Sequence, residues 1–303
     1  MLTKETVTHW FKELQDTICQ ALEEADGKGY FHEDQWQRDE GGGGRSRVIT
    51  NGNIIEKGGV NFSAVHGKLP ENIANALKLN DSTFYATGVS IVLHPVNPMV
   101  PIIHMNVRYF ETSSEDGNST WWFGGGIDLT PHYIKTKEAA YFHQQLKTVC
   151  DQHNPAYYQK FKKWADDYFY IKHRQETRGV GGIFFDRMGE AEGTKETLFS
   201  FVQDVGSAFA PTYTYFMKNN AYLDFNGTHK NWQMLRRSRY VEFNLVWDKG
   251  TKFGLETNGR IESILMSMPP QANWVYDYQP EEGTAEAETQ ALLKKDIDWI
   301  MYA

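Results

Sequence analysis

Two rhythms of apolar and polar positions divide the chain. A period near 3.6 runs through residues 3–26, where Trp10, Phe11, Leu14, Ile18, Ala21, Leu22 and Ala25 form one stripe among Glu, Lys and Asp, and it predicts a helix lying on a core. The same rhythm returns over 136–152, with Thr136 as N-cap and Ala139, Phe142, His143, Leu146, Val149 and Cys150 inward. It returns again from Asn154-Pro155 to about Lys172, from Thr194 through Phe209 with a kink at Pro211, and over 285–301. A short helix opens at Pro70 and runs over 70–79. Elsewhere the period is 2. Asn51-Gly52 joins two β-branched runs into a hairpin over Arg47–Glu56, and Val60–Val65 follows a break at Gly58-Gly59. Further strands are expected at about 83–94, 101–111, 119–130 and Ile183–Asp186, with Asp116-Gly117-Asn118 in a polar loop. A C-terminal meander is read as Tyr240–Trp247, Thr251–Glu256 and Arg260–Met268, turned at Asp248-Lys249-Gly250 and at Asn258-Gly259. Hairpins dominate, and no repeat or composition shift divides the chain. The expectation is one domain over 1–303, antiparallel α+β, with helices covering the sheet.

Pro101–Glu111 is the most informative stretch. Alternation sends Ile103, Met105, Val107 and Tyr109 to one face and His104, Asn106 and Arg108 to the other. An imidazole, an amide and a guanidinium in one row make an unusual core strand. Its neighbours add Ser90 and His94 on one side and Asp128 on the other, so pairing of the three strands would line one polar pocket on the sheet.

Composition narrows the setting. A net charge of -8 speaks against a general nucleic-acid binder, and no apolar run is long enough to span a membrane. The two cysteines, Cys19 and Cys150, exclude a disulfide framework and a Cys-rich metal site. With no signal-like or transit-like opening, a cytoplasmic protein is expected. The 14% aromatic content favours either a large apolar cavity or a broad sheet–helix interface.

Candidate chemistry centres on arginine and histidine. Gly41–Gly44 are read as a loop approaching something closely, and Arg45 and Arg47 beside them as an anion clamp as readily as a surface loop. No Gly-Lys-Ser/Thr makes this a P-loop. Arg45, Arg47, Arg108, Arg174, Arg178 and Arg260 as a set, among glycines and aromatics, suit a large, flat, multiply anionic ligand. Asp128 among them is either an ion-pair partner or an acceptor for ligand N–H groups. His94, His104, His143 and His173 invite a metal site, but they are scattered over about eighty residues without ligand spacing. His32-Glu33-Asp34 matches a His-x-Asp pair by chance within a polar loop.

Several long runs carry a resemblance. Ser90-Ile-Val-Leu-His-Pro-Val-Asn-Pro98, His104-Met-Asn-Val-Arg-Tyr-Phe110, Trp121-Trp-Phe-Gly-Gly-Gly-Ile-Asp-Leu-Thr-Pro131 and Arg178-Gly-Val-Gly-Gly-Ile-Phe-Phe-Asp186 resemble the oxygen-dependent coproporphyrinogen III oxidases. So do Gly41–Val48 and Arg236–Asn244, in register over nearly the whole chain. The resemblance implies a large flat antiparallel sheet sandwiched between layers of helices. It implies oxidative decarboxylation of two propionates of coproporphyrinogen III to vinyls, giving protoporphyrinogen IX in haem synthesis. Dioxygen is then the co-substrate, with no organic cofactor. By position it assigns substrate contacts to Ser90, Asn106, Val107, Arg108, Asn258, Gly259 and Arg260, proton donation to His104, and pyrrole N–H binding to Asp128. It assigns a divalent metal, manganese foremost, to His94, His104, His143 and His173, although the family is also described as needing none. It places a homodimer interface over about 240–274. A metal-dependent oxygenase of another small acid and a non-catalytic tetrapyrrole carrier are the alternative readings.

Overall fold

The computed structural model describes residues 2–69, 82–114, 119–256 and 259–303. A seven-stranded antiparallel sheet forms its centre. β1 (His32–Gln37), β2 (Gly42–Thr50), β3 (Ile55–Lys68), β4 (Ser82–Pro95), β5 (Ile102–Ser114) and β6 (Ser119–Thr130) lie side by side in chain order. A two-stranded ribbon, β7 (Tyr170–Ile171) with β8 (Glu176–Thr177), precedes β9 (Gly181–Met188), which pairs with β6. The helices are α1 (Lys4–Asp26), α2 (Thr136–His153), α3 (Tyr157–Tyr168), α4 (Lys195–Asn220), α5 (Gly227–Val246), α6 (Lys249–Glu256), α7 (Ile261–Leu265) and α8 (Ala285–Ala291). The fold is α+β. Among the described residues no helix is long and apolar enough to cross a membrane.

Alternation along the strands divides the two faces. Ile103, Met105 and Val107 of β5 are fully buried among Phe11 and Leu14 of α1, Phe142 and Leu146 of α2, and Val205 and Phe209 of α4. The opposite face, bearing the polar row, is roofed in part by α5 and by the segment around α7. Tyr240 packs on Val92 and Ile102, and Asn61 Nδ2 donates to the Ser263 carbonyl at 3.0 Å. His94 Nε2 and Lys57 Nζ bond the Ser267 and Met268 carbonyls at 2.9 and 2.8 Å. Helices therefore lie on both faces. α1 begins at Thr3, whose hydroxyl accepts from Thr6 N, and ends at Gly27 with φ 73°. Its last residue, Asp26, accepts from the backbone N–H groups of Gly29, Asn53, Ile54 and Ile55, and so ties the β2–β3 hairpin to the helix.

Several sequence expectations are corrected. The glycine run lies mostly in strand: Gly42–Gly44 begin β2, and the presumed loop at His32–Asp34 is β1. The close approach is to the chain itself, since a Cβ on Gly44 would sit 2.3 Å from the Trp36 ring. Gly58-Gly59 does not interrupt β3, which carries a register shift between Ile55 and Lys57. The hairpin turn is wider than two residues, with Asn51 and Gly52 N–H donating to the Glu56 and Ile55 carbonyls. α2 is flanked by Lys135 without a side-chain cap, α3 stops at Tyr168, and α4 runs through Pro211. The expected last helix is only Ala285–Ala291, followed later by a 3-10 turn at Trp299–Tyr302. The helix read at 70–79 and the loop at Asp116–Asn118 lie outside the described residues.

The largest correction concerns the C-terminal third. Residues 240–247, 251–256 and 260–268 were expected as strands, and the chain there forms α5, α6 and α7. α5 starts at a reciprocal cap, Asn226 Oδ1 accepting from His229 N while His229 Nδ1 accepts from Asn226 N. Its buried positions include Arg236, Arg237 and Arg239 as well as Trp232, Tyr240 and Phe243. Arg236 pairs with Glu176 at 2.8 Å, and Arg237 pairs with Glu56 and donates to the Pro95 carbonyl at 2.9 Å. Three buried arginines erase the helical stripe, which leaves the short alternation after Tyr240 as the visible signal. The alternate positions of the expected strand Tyr240–Trp247 therefore do not share a face: Phe243 is fully buried and Leu245 is 44% exposed.

Candidate active site

Strand register builds the site row by row. His104 of β5 stands between Val92 of β4 and Asp128 of β6; Asn106 stands between Ser90 and Gly126; Arg108 stands between Gly88 and Gly124. Asn61 continues the middle row onto β3 and Ser46 onto β2, while β9 adds Phe184 beside Gly126. Of the expected pocket set, Ser90, His104, Asn106, Arg108 and Asp128 form one contiguous patch with small residues as its floor, while His94 is fully buried under the Ser267 carbonyl.

At one end Asp128 is almost fully buried. Its Oδ1 accepts from His104 Nδ1 at 2.8 Å and from Arg178 Nη2 at 2.7 Å, and its Oδ2 accepts from Arg178 Nη2 at 2.8 Å and Nε at 3.2 Å. Burial alone would raise this carboxyl. The Arg178 charge, with the bonds from His104 and Arg178, overrides that and holds it below the ordinary carboxylate value. Arg178 is itself enclosed, its guanidinium lying over Phe169, Tyr240 and Phe243 and donating to Asn244 Oδ1 at 2.8 Å. All four acceptor positions of Asp128 are filled, so a ligand N–H reaches it only by displacing a protein donor. Of Asp128's two sequence readings, ion-pair partner and N–H acceptor, this geometry is the first. With Nδ1 committed to Asp128, His104 has Nε2 left for proton exchange. Its side chain is 20% exposed and its ring meets the edge of Phe169.

At the other end Arg108 is 35% exposed. Its Nη1 donates to Asn106 Oδ1 and its Nη2 to Asp186 Oδ1, each at 2.7 Å. A Cβ on Gly124 would come within 2.6 Å of Asp186 Oδ1 and 2.9 Å of Arg108 Nε, so the pair lies directly over glycine backbone. Two rings flank this end: Phe110 stacks on Trp122 at 4.5 Å, and Phe184 stacks on Tyr168 at 4.2 Å. Arg260, at the start of α7, donates to Ser46 and Ser263 hydroxyls and to Asp34. Ser46 lies three strand spacings from Asn106 along the middle row, about 14 Å at about 4.8 Å per spacing.

Other assigned residues lie elsewhere. The Val107 side chain points into the core on the opposite face. Gly259 precedes Arg260, its N–H bonded to the Gly254 carbonyl, and Asn258 lies outside the described residues. Arg45 and Arg47 are held by Asp16 and Glu33, and Arg174 by Glu242, so no anion clamp forms beside the glycines. The four histidines do not converge. His143 is buried between Tyr158 Oη and the Val180 carbonyl, and burial lowers its pKa to about 3. His94 is buried against the Ser267 carbonyl, and burial followed by the Arg237 charge lowers it to about 3. His173 donates to Glu242 at 2.7 Å and accepts from Trp247 Nε1 at 2.9 Å, while His104 is committed to Asp128. Among the described residues no three His, Cys, Asp or Glu side chains stand together as a metal set. This donor arrangement does not fit a shared metal ion.

Sequence reading missed Asp186, Asn244 and Phe169, and saw Arg178 only as one of several arginines. Partners on β9 and α5 become neighbours only through tertiary packing. The one local hint was Gly124, whose place beside Arg108 leaves room for a partner.

This sheet face joins a histidine–carboxylate dyad to an open arginine fork over glycines, groups able to move a proton and to hold a carboxylate. The chain belongs to the coproporphyrinogen III oxidase family, whose model matches residues 6–299. It is 51% identical over 298 residues to the mitochondrial oxygen-dependent coproporphyrinogen-III oxidase of Homo sapiens, covering 95% of this chain and 65% of that protein. Similarity to the Mus musculus mitochondrial protein is 50% over 95% and 67% of the two chains. To the Drosophila melanogaster oxygen-dependent coproporphyrinogen-III oxidase it is 45% over 98% and 79%. The chain thus spans about two thirds of the length of its mammalian relatives. The cytoplasmic expectation is corrected by these relatives, which are named mitochondrial. It rested on cysteine count and on the character of the first residues, and neither separates one reducing compartment from another.

Proposed function

We propose that this chain catalyses the oxygen-dependent oxidative decarboxylation of two propionates of coproporphyrinogen III to vinyls, giving protoporphyrinogen IX. The observation that carries the reading is the span of the polar face. Arg108 at one side and Arg260 at the other bracket a floor of Asn61, Ser90 and Gly88, a separation suited to carboxylates on one flat macrocycle. Arg108 has three N–H donors left for a propionate after its bonds to Asn106 and Asp186. Each propionate loses CO2 and one hydrogen from the carbon next to the ring, and two electrons pass to dioxygen. No organic cofactor is required in this scheme, because the porphyrinogen itself is the electron donor.

His104 handles the proton. Asp128, locked by Arg178, fixes the imidazole tautomer and orientation, which leaves Nε2 to meet the substrate. Ser90 and Asn106 line the floor between the two arginines and supply polar contacts there. We also infer a homodimer, supported by apolar side chains exposed along the stretch that includes Leu245, Leu255, Ile261 and Trp274. Sedimentation velocity reads it directly, and a monomer at working concentration refutes it.

The activity is tested by aerobic incubation of the purified chain with coproporphyrinogen III, with and without a chelator. The products are oxidised to porphyrins and separated by chromatography. Appearance of the dicarboxylate in both arms supports the reading; unchanged tetracarboxylate refutes it.

A further inference from the structure

Building on that reading, we propose that Asp186 is a built-in competitor of the substrate carboxylate at Arg108, and that it makes this anchor exchangeable between the two rounds of decarboxylation. The need follows from stoichiometry on a single sheet face. Two propionates of one molecule must each reach His104, whose dyad with Asp128 is the one built on the strands of this face; the pairs His153–Asp204 and His173–Glu242 lie on helices and a turn away from those strands. The macrocycle must therefore shift between rounds, and any arginine holding one carboxylate must let it go and take another.

The two arginines of the site are built differently in this respect. Arg178 is enclosed and bonded by Asp128 and Asn244, and holds nothing that leaves. Arg108 is open to the floor, with Asp186 Oδ1 at 2.7 Å on Nη2 and Asn106 Oδ1 on Nη1. A departing propionate leaves behind a guanidinium that is still paired, so release does not strand a bare cation. While the propionate is bound, the fixed negative charge of Asp186 beside it opposes its hold. A like charge a few ångström away weakens an anion by about tenfold when partly exposed. Among the described residues Asp186 Oδ2 has no hydrogen bond to another side chain or to backbone, so the carboxylate turns toward or away from Arg108 without breaking a second contact there. Gly124 beneath the pair leaves the room for that movement.

Asp186 acts through Arg108 and is a positioning residue, so its test separates binding from turnover. The probe for binding is coproporphyrin III, the stable oxidised tetracarboxylate, titrated by fluorescence onto the full chain. Asp186→Asn and Asp186→Ala should both bind it about five- to tenfold more tightly. In aerobic turnover both should let the tricarboxylate intermediate accumulate, because the second propionate reaches His104 late. Asp186→Glu, which keeps the charge, should behave as wild type, and thermal melts identify any variant that fails to fold. Weaker or unchanged binding by Asp186→Asn overturns the proposal, and so does tighter binding with no rise in tricarboxylate. An active wild type with an unaffected Asp186→Asn removes this proposal alone. A wild type that neither binds coproporphyrin nor turns over coproporphyrinogen removes the proposed function and this inference with it.

Discussion

Two aspartate–arginine pairs stand on the same sheet face, joined by bonds of the same length, 2.7 Å, yet their settings are opposite. In the Asp128–Arg178 pair the side chains are 1% and 2% exposed, and every acceptor of the carboxylate is taken. In the Asp186–Arg108 pair they are 32% and 35% exposed, and donors and acceptors are left over. Burial makes the first pair a fixed element of the fold that sets the state of His104. Exposure makes the second one exchangeable with ligand. The lesson is that a charged pair near a site is read by its unfilled hydrogen-bond positions, not by its distance.

The contrast is broken most sharply by removing the arginine from each pair. Arg178→Met leaves Asp128 buried without its charge partner, with only the His104 bond remaining, and unfolding in urea should reveal a loss of about 3–5 kcal/mol. Arg108→Met should leave stability within about 1 kcal/mol, as expected for a partly exposed pair, while KM for coproporphyrinogen rises steeply. Equal destabilisation by both would erase the distinction. The next largest effect belongs to the residue that the buried pair serves. His104→Gln preserves volume and a hydrogen bond to Asp128 but cannot exchange a proton, so kcat should fall by about 10²–10⁴-fold with the fold intact. Near-normal turnover would take His104 out of the chemistry.

How far the sequence reached depended on which rule each region obeys. β5 is apolar on one face and polar on the other, so period-2 alternation displayed His104, Asn106 and Arg108 as a row, and the structure pairs them with Ser90, Gly124 and Asp128 as that row requires. α5 obeys no such rule. Its buried Arg236 and Arg237 bond Glu176 and the Pro95 carbonyl, partners 60 and 142 residues away that no local pattern reveals. The glycines misled for a related reason. Gly44 is a strand residue facing Trp36, and a loop and a crowded strand look alike in one dimension. Asp186 stayed hidden because its role exists only where β9 meets β6.

Acid stability follows from the histidines that the site does not use. His94 and His143 have pKa values lowered to about 3 by burial, against about 6.5 when unfolded. Between those values the unfolded chain binds protons that the folded chain refuses, so stability declines as pH falls below about 6.5. The slope is up to about 1.4 kcal/mol per pH unit for each histidine. Glu242, lowered to about 2 against the burial that opposes it, chiefly by bonds from Arg174, His173 and Trp274, adds a second loss only below about pH 4.5. Urea titrations at pH 7 and 5.5 should differ by more than 1 kcal/mol, and His143→Gln should flatten the difference. A flat profile for wild type would mean that these rings are hydrated and titrate normally.

The smallest expected effect tests the region where sequence and structure part most widely. If 227–246 is one continuous helix, its N-terminus depends on the reciprocal bonds between Asn226 and His229 at 3.2 and 3.0 Å, made at an exposed position where no core contact substitutes for them. Asn226→Ala removes the side-chain acceptor and should cost about 1 kcal/mol, and Asn226→Ser should recover most of it. A meander of strands beginning at Tyr240 would have no use for a cap fourteen residues upstream, and neither substitution would register. The measurement also reports on the site at a distance. α5 carries Tyr240, Phe243 and Asn244, which enclose Arg178. Fraying at residue 226 lies more than three turns from these residues, so turnover should stay unchanged while the urea midpoint falls. A cap variant that loses activity in proportion to stability would mean instead that α5 opens as one unit, taking the wall of the buried pair with it.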